Sequence, residues 1–249
     1  MELKNKVAIV TGGTKGIGEA ISIEFVKSGI KVCSTYVSDD KNANRFENEI
    51  KKITSEYMIM KSDISNIDDI SNLFKDVIDK FGGVDILVNN AGIFLTKDGY
   101  PETDKRYKKV FETNFFSCVY ATEKFGEVFK GDLGKIINIS SIAGINPFSY
   151  TGGIRAPEYD CSKASMDLYT KIMARTFNGK ILVNGIAPGS TETPQWDGTD
   201  ENFLNIRAKE SMINRFMKPQ EISKTALFLL QNDAINGDII IVDGGNILN

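Results

Sequence analysis

The sequence predicts a single α/β domain in which a doubly wound, mostly parallel sheet of seven strands carries helices on both faces. Seven short runs rich in Val and Ile recur along the 249 residues, and amphipathic segments lie between most of them. Because these runs are apolar almost throughout, strands made from them need cover on both faces, which intervening helices supply. No low-complexity tract or Pro/Ser-rich linker divides the chain, so we expect one domain over residues 1–249.

The elements follow in order along the chain. The candidate strands are 6–11, 31–37, 57–63, 84–92, 135–140, 180–188 and 238–245. Apolar residues that return every three or four positions predict helices such as 17–27, 67–81 and 222–230. The stretches 98–104, 144–157 and 188–200 look like loops, and each follows a predicted strand. Ligands of such sheets bind at the carboxyl ends of the strands, so we expect the functional site at that rim.

Composition excludes several classes of function. The 30 basic and 33 acidic residues give a net charge of -3, which offers no broad surface for nucleic acid or an anionic membrane. No apolar stretch reaches the length of about 18 residues expected of a spanning helix, and three widely spaced cysteines fit reduced thiols, so we expect a cytoplasmic protein. The chain has no histidine, which removes Ser-His-Asp and Cys-His catalysis and the common His-bearing metal sites. We expect no metal.

A glycine-rich turn, "TGGTKGIG" (11–18), joins the first predicted strand to the first helix. Gly12, Gly16 and Gly18 would let the backbone approach a pyrophosphate, and the N–H groups at the start of the helix attract its charge. A tight turn that needs only flexibility is the alternative. The strand before it and the helix after it favour a Rossmann-type dinucleotide site.

The end of the second strand bears on the choice of dinucleotide. An acidic residue there would bind the ribose 2′-hydroxyl of NAD, but the expected position is Tyr36. Lys15, inside the glycine turn, is suited to a 2′-phosphate. We therefore expect NADP(H) to be preferred over NAD(H), although Asp39 and Asp40 follow closely enough to keep NAD(H) possible.

A tyrosine precedes a lysine by four residues at three places: Tyr57 with Lys61, Tyr120 with Lys124, and Tyr159 with Lys163. The first pair lies in a predicted strand, where four residues span about 13 Å, too far for a proton relay. No candidate serine precedes the second pair, for which we expect packing or an interface. The third pair is a helical neighbour pair that follows a strand ending in serines.

Seven short motifs occur in one order: "TGGTKGIG", "DI" (63–64), "NNAG" (89–92), "TN" (113–114), "ISS" (139–141), "YDCSK" (159–163) and "APG" (187–189). With this ordered set the chain resembles the short-chain dehydrogenase/reductase family over essentially its whole length. The resemblance implies an oxidoreductase that interconverts a carbonyl and a secondary alcohol. A 3-oxoacyl thioester is the first choice of substrate, while sugars, steroids and small ketones stay open.

The resemblance also implies a role for each catalytic residue. Tyr159 is the general acid/base, and we expect the nearby Lys163 cation to lower the pKa of its phenol. Lys163 would also hold the nicotinamide ribose, Ser141 the substrate oxygen, and Asn114 a water that resupplies the proton. Ser141 as a helix cap, Asn114 as a satisfied helix amide, and Ser140 as the oxygen-binding serine are the alternatives.

The resemblance implies further contacts to the cofactor. In full, the cofactor-binding set is Gly12, Thr14, Lys15, Gly16, Ile17, Gly18, Tyr36, Ser38, Asp63, Ile64, Asn90, Ala91, Gly92, Tyr159, Lys163, Pro188, Gly189, Thr191 and Thr193. Asp63 as a solvated acid at a strand end is the alternative at that position. A homotetramer or homodimer is implied, with helices around 105–130 and 158–178 in its interfaces.

Two segments depart from the family pattern or vary within it. Tyr159 lies 18 positions after Ser141, which is longer than the usual interval and predicts an insertion within 145–158. Its residues Phe148, Tyr150 or Arg155 would shape the substrate site, or the loop would only face solvent. The stretch of about 190–214 occupies the place of the substrate lid. There Trp196, Phe203 and Leu204 would close over an apolar group or pack in the core.

Two rival functions stay open. A protein of this fold could bind NADP(H) as a sensor without turnover, because fold does not dictate function. A nucleotide-sugar epimerase shares the Tyr and Lys spacing, but the glycine spacing and the lack of an added substrate domain argue against it. The joint presence of Ser141, Tyr159 and Lys163 favours the enzyme over the sensor.

Overall fold

A computed structural model describes residues 2–96, 99–146 and 156–249. Within these residues seven strands form one sheet in the order β3-β2-β1-β4-β5-β6-β7. Every neighbouring pair of strands is parallel. The strands are β1 (Val7–Val10), β2 (Lys31–Tyr36), β3 (Tyr57–Lys61), β4 (Ile86–Asn89), β5 (Gly134–Ile139), β6 (Ile181–Pro188) and β7 (Ile239–Val242). The predicted fold class is confirmed.

The helices of the described residues are α1 (Gly16–Lys27), α2 (Asp40–Ile50), α3 (Ile67–Phe81), α4 (Thr103–Phe111), α5 (Ser117–Val128), α6 (Pro157–Thr176), α7 (Glu201–Lys209) and α8 (Pro219–Gln231). Their ends follow from local chemistry. The Asn66 side chain accepts hydrogen bonds from two N–H groups in the first turn of α3, and the helix ends at Gly82, whose φ is 89°. None of the helices in this part of the chain is long and apolar enough to cross a membrane.

The core lies on both faces of the sheet, and β1 shows why its strands are apolar throughout. Ala8 and Val10 belong to the cluster on the side of α1 and α8, whereas Val7 and Ile9 belong to the cluster on the side of α3 and α5. All four side chains are buried. Successive residues of a strand point to opposite faces, so in a strand covered on both sides no side chain faces water, and all four of β1 are apolar.

The strand order places the crevice of the sheet. From β3 at the edge, the chain returns across the sheet to β4, which pairs with β1 on the side opposite β2. The connections of β1 and β4 therefore leave in opposite directions, and a crevice opens beyond the carboxyl ends of these two strands. The glycine turn follows β1 and the "NNAG" segment begins in β4, so both lie at this crevice.

A π-helical turn, Glu112–Phe116, separates α4 from α5 in the helical region around 105–130. Such turns are rare and often occur at functional sites. This one contains Asn114, and no feature of the sequence pattern announces it. The loop-like stretches are shorter than expected, because α4 already begins at Thr103 and a 3₁₀ turn covers Pro194–Trp196.

Candidate active site

The glycine turn is as tight as its spacing suggests. Gly12 has a φ of +62°, and a Cβ added to Gly18 would lie 2.3 Å from the carbonyl oxygen of Gly12. Thr14 is buried within the turn, and Ile17 packs against the core. Within the described residues no side chain caps the N-terminus of α1, which begins after Lys15. The turn and the uncapped helix start fit the pyrophosphate of a dinucleotide.

The segment after β4 is bound to this turn and forms the other wall of the crevice. The Asn90 side chain donates to the carbonyl oxygens of Thr11 (2.8 Å) and Gly12 (3.1 Å). The backbone N–H groups of Asn90 and Ala91 both donate to the Thr11 hydroxyl, at 3.0 and 3.1 Å. The two segments therefore hold each other in place.

Lys163 and Asn114 meet at Gly92. A Cβ added to Gly92 would lie 3.3 Å from Asn114 Oδ1 and 3.5 Å from Lys163 Nζ. Lys163 Nζ donates to the carbonyl oxygen of Ile139 at 2.8 Å and lies 5.8 Å from the centre of the Tyr159 ring. Three separate parts of the chain, β4, the π-helical turn and α6, thus bring these groups to one place.

Asn114 is fully buried and bonded at several points. Its Oδ1 accepts from the N–H of Ile93 (2.7 Å), and its Nδ2 donates to the carbonyl of Ile93 (3.0 Å) and to the Ser162 hydroxyl (3.2 Å). An amide has two donors and two acceptor lone pairs. These contacts use both donors and one lone pair, which fits the alternative of a satisfied amide, and the second lone pair stays available to a water.

Ser141 performs two structural tasks at the end of β5. Its hydroxyl accepts from the N–H of Ala143 at 3.1 Å, which caps a 3₁₀ turn, and it lies close enough to the Tyr159 phenol to lower the pKa of that phenol. Ser140 differs, since its hydroxyl donates to the carbonyl of Ile186 in the neighbouring strand. Of the two serines, Ser141 is the one that acts on the pKa of Tyr159.

The rim after β6 folds back over the glycine turn. Pro188 ends β6, the Gly189 N–H donates to Val242, and the buried Thr191 hydroxyl donates to the Gly189 carbonyl. A Cβ added to Gly16 would lie 3.2 Å from Thr193. Thr193 therefore lies directly beside the turn.

The sequence model of a family described as "Enoyl-(Acyl carrier protein) reductase" matches residues 12–246 of this chain. The structure is similar to that of a mutant short-chain dehydrogenase/reductase from Serratia marcescens, with a TM-score of 0.88 and 27% sequence identity, over 99% of this chain and 100% of the other. The chain belongs to the short-chain dehydrogenase/reductase family.

Other members of the short-chain dehydrogenase/reductase family resemble the chain over nearly its whole length. It is 31% identical to the hydroxynaphthalene reductase-like protein Arp2 of Metarhizium acridum, over 98% of this chain and 96% of that protein. It is 32% identical to the 2-dehydro-3-deoxy-D-gluconate 5-dehydrogenase of Dickeya dadantii, with the same coverage. A short-chain dehydrogenase from Burkholderia cenocepacia in complex with NADP has a TM-score of 0.88 and 26% identity, over 99% of each chain. As a member of this family, the chain is an NAD(P)(H)-binding oxidoreductase that acts on CH–OH and C=O groups.

The pKa values of Tyr159 and Lys163 in this short-chain dehydrogenase/reductase differ from the expected ones. Burial raises the pKa of Tyr159, and the hydrogen bond from Ser141 opposes the rise only in part. Burial also lowers the pKa of Lys163 to about 8. The expectation that Lys163 leaves the phenol with a lowered pKa is therefore wrong for this structure, because removal of both groups from water disfavours both charges.

A salt bridge that the sequence motifs do not predict lies near the end of β2, where the adenosine ribose is expected. Lys15 Nζ forms a salt bridge with Asp39 Oδ2 at 2.8 Å. Lys15 and the N–H and side-chain amide of Asn42 hold the pKa of the Asp39 carboxyl well below its usual range. Tyr36 ends β2 and is half-buried, and Ser38 is exposed.

The remaining predicted cofactor residues lie after β3. Ile64 is buried, whereas the Asp63 carboxylate accepts from the N–H and hydroxyl of Ser65, at 3.0 and 2.7 Å. Asp63 is exposed and stabilises a turn, which fits the alternative of a solvated acid at a strand end. A contact of Asp63 to adenine stays a prediction.

The predicted lid is a 3₁₀ turn followed by α7. Trp196 Nε1 donates to the Thr191 carbonyl at 2.9 Å, and its ring packs against Phe216 and Phe203, with centres 5.3 and 6.5 Å apart. Trp196 and Phe203 therefore pack on each other, and with Leu204 they are half-buried. Phe148, Tyr150 and Arg155 of the predicted insertion lie outside the described residues.

Phe94 belongs to the site, although the sequence motifs do not predict it. The Phe94 ring meets the Tyr159 ring edge-on, with centres 5.2 Å apart. Its signal in the sequence is its position, two residues after the "NNAG" segment that lines the crevice. Phe94 presents an apolar ring beside the phenol.

Proposed function

We propose that the protein is an NADP(H)-dependent oxidoreductase that interconverts a carbonyl and a secondary alcohol by hydride transfer, with Tyr159 as the general acid/base. The observation that carries the proposal is the meeting of three groups beside a glycine turn that fits a dinucleotide. Lys163 Nζ lies 5.8 Å from the centre of the Tyr159 ring, and a Cβ added to Gly92 would lie 3.5 Å from Lys163 Nζ and 3.3 Å from Asn114 Oδ1. When bound, the reduced nicotinamide supplies the hydride.

The residues divide the remaining work of the reduction. Ser141 donates a hydrogen bond to the carbonyl oxygen and so orients it towards the phenol. Tyr159 gives its proton to that oxygen as the alkoxide forms, and a raised pKa keeps the phenol protonated at neutral pH. Lys163 donates to the nicotinamide ribose and holds positive charge near the phenolate that results. Asn114 holds a water that returns the proton.

The preference for NADP(H) rests on charge at the adenosine end. Lys15 is half-exposed within the glycine turn, where it meets a 2′-phosphate, and no carboxylate stands at Tyr36. The NADP complex of the Burkholderia relative supports the same choice. Asp39 opposes it, since it already pairs with Lys15, and NAD(H) is the second candidate.

A 3-oxoacyl thioester is our first choice of substrate. The acyl carrier protein in the description of the matching family supports it. The names of the two relatives, a hydroxynaphthalene reductase-like protein and a dehydrogenase of a deoxygluconate, favour cyclic ketones and keto-sugars as the second choice. Residues of about 190–214 form the substrate lid in this proposal.

We place the enzyme in the cytoplasm as a homotetramer or homodimer. Helices α5 and α6 supply the interface, and exposed apolar side chains on or beside them, Phe116, Leu168 and Ile172, support this. A contiguous exposed apolar patch often marks a protein–protein interface.

The test is a panel of ketones, 3-oxoacyl thioesters and keto-sugars assayed by NADPH consumption with the purified protein. We expect turnover with at least one class, and we expect Tyr159→Phe to lose turnover while it keeps NADPH affinity. Equal turnover by the variant would remove Tyr159 as the acid. NADPH binding without turnover on any member of the panel would favour the sensor.

A further inference from the structure

A buried ion pair lies directly beside Tyr159. Arg106 Nε of α4 lies 2.5 Å from Glu158 Oε1 in the first turn of α6, and the two side chains are 8% and 1% exposed. Removing two charges from water costs free energy that their attraction often fails to recover, so such a pair is weak evidence for stability. A buried pair next to the reacting phenol calls for another role.

Arg106 also reaches the loop that leads into α4. Its Nη1 donates to the carbonyl oxygen of Tyr100 at 2.8 Å, while its Nε holds Glu158. The planar guanidinium fixes the angle between its donors. Arg106 therefore fixes the first turn of α6 relative to residues 99–101 and to α4, which leads into the π-helical turn with Asn114.

The first turn of α6 needs such a contact. No side chain within the described residues caps the helix at Ala156. Ser141 lies at the end of β5 and Tyr159 lies in α6, so the position of α6 sets the distance between the two hydroxyls. Glu158 immediately precedes Tyr159 and is the most buried carboxylate of this turn.

We propose that Arg106 and Glu158 are positioning residues that hold Tyr159 within hydrogen-bond reach of Ser141. Neither residue touches the reacting atoms. The inference rests on the proposed function, because it assigns a geometric support to the proposed acid. A displacement of about 1 Å in a reacting group is enough to lower a rate by about 100-fold.

The main variant is the paired replacement Arg106→Met with Glu158→Leu, which removes both charges and leaves neither one buried alone. We expect kcat to fall by about 10-fold or more, with the dissociation constant of NADPH unchanged. Glu158→Gln is the second variant, since its amide oxygen still accepts from Arg106 should the paired variant fold poorly. It should lower kcat in the same direction by a smaller factor.

Lys135→Met is the matched control. Lys135 is also buried, and its Nζ donates to the carbonyl oxygens of Leu229 and Asn232 at the end of α8, away from the crevice. This variant should lower the unfolding midpoint and leave kcat unchanged. A comparison of the two variants separates loss of a buried charge from loss of position.

The pH profile of alcohol oxidation gives a readout that a purely structural role would not move. Oxidation needs the phenolate, and the hydrogen bond from Ser141 lowers the pKa of Tyr159. Loss of that bond in the paired variant should move the rising limb of the profile to higher pH, while Lys135→Met leaves it in place.

Two outcomes overturn the inference. One is an unchanged kcat and pH limb in both Glu158→Gln and the paired variant, and the other is a loss of activity explained by weaker NADPH binding. Full turnover by Tyr159→Phe would instead defeat the proposed function, and these results are distinguishable in one set of assays.

Discussion

Replacing Asp39 with asparagine tests how this chain selects its dinucleotide. In the structure Lys15 is already paired with Asp39, so a 2′-phosphate must compete with that carboxylate for the ammonium group. The asparagine side chain would carry no charge, yet its amide oxygen would still accept the hydrogen bond from the Asn42 N–H that begins α2. We expect Asp39→Asn to bind NADPH more tightly and NADH no more tightly than the parent.

The size of the effect follows from exposure. The side chains of Lys15 and Asp39 are 49% and 31% exposed, so water screens the pair. Exposed pairs contribute about 0.2–1 kcal/mol, which corresponds to about a 1.4- to 5-fold change in a dissociation constant. The gain should shrink in about 1 M salt, where the screening length is about 3 Å.

Titration of NADPH and NADH by fluorescence at low and high salt measures these constants. Asp79→Asn is the matched control, because the Asp79 carboxylate pairs with Lys75 in α3, at 2.7 Å, and not with the lysine of the glycine turn. It should leave both dissociation constants unchanged. Weaker NADPH binding by Asp39→Asn, or an equal gain for NADH, would refute the reasoning whichever dinucleotide the parent prefers.

Three further predictions concern the turn and the lysine. Gly18→Ala should weaken NADPH binding and lower the free energy of unfolding by about 1–3 kcal/mol, because its Cβ would lie 2.3 Å from the Gly12 carbonyl oxygen. Gly83→Ala is the control, since no atom would lie within 4 Å of its Cβ. In the same NADPH titration and urea melt, this control should change neither the dissociation constant nor the free energy of unfolding. Lys163→Met should abolish turnover in the NADPH assay yet raise the free energy of unfolding at pH 7. Burial lowers the pKa of the lysine from 10.5 to about 8, which costs the folded protein about 3 kcal/mol. The gain on removing the lysine is this cost less the contribution of its hydrogen bond to the Ile139 carbonyl. That cost is present in full below pH 8 and vanishes above pH 10.5, so urea melts should show parental stability rising relative to Lys163→Met across this window, and a constant difference would contradict the assigned shift.

The sheet could be predicted from the sequence because its strands carry their own signal. Each strand is a short run of apolar residues, and the alternation of β1 between two cores shows that such a run requires cover on both faces. The carboxyl rim could be predicted as the place of the site, whereas the strand order that opens a crevice there comes from the structure. Helices α1 and α3 begin within one residue of their predicted positions, because apolar residues that return every three or four positions mark them.

The parts that could not be predicted depend on contacts between distant residues. Arg106 and Glu158 are 52 positions apart, and Lys15 and Asp39 are 24 apart, so no local pattern joins them. The direction of the Tyr159 pKa shift depends on how deeply the phenol is buried, and a sequence motif does not give this burial. The family motif therefore names the groups at the site, while packing determines their protonation.

The π-helical turn has a consequence for how this region tolerates change in length. An α-helix closes each hydrogen bond over four residues and a π-helical turn over five, so the loss of one residue here would convert the turn to regular α-helix and move Asn114. Asn114 would swing away from the Ile93 backbone, although every flanking side chain would keep its identity. Single-residue deletions at 112–116 should therefore be far more damaging than substitutions there. The length of this segment determines where Asn114 lies between the crevice wall and α6.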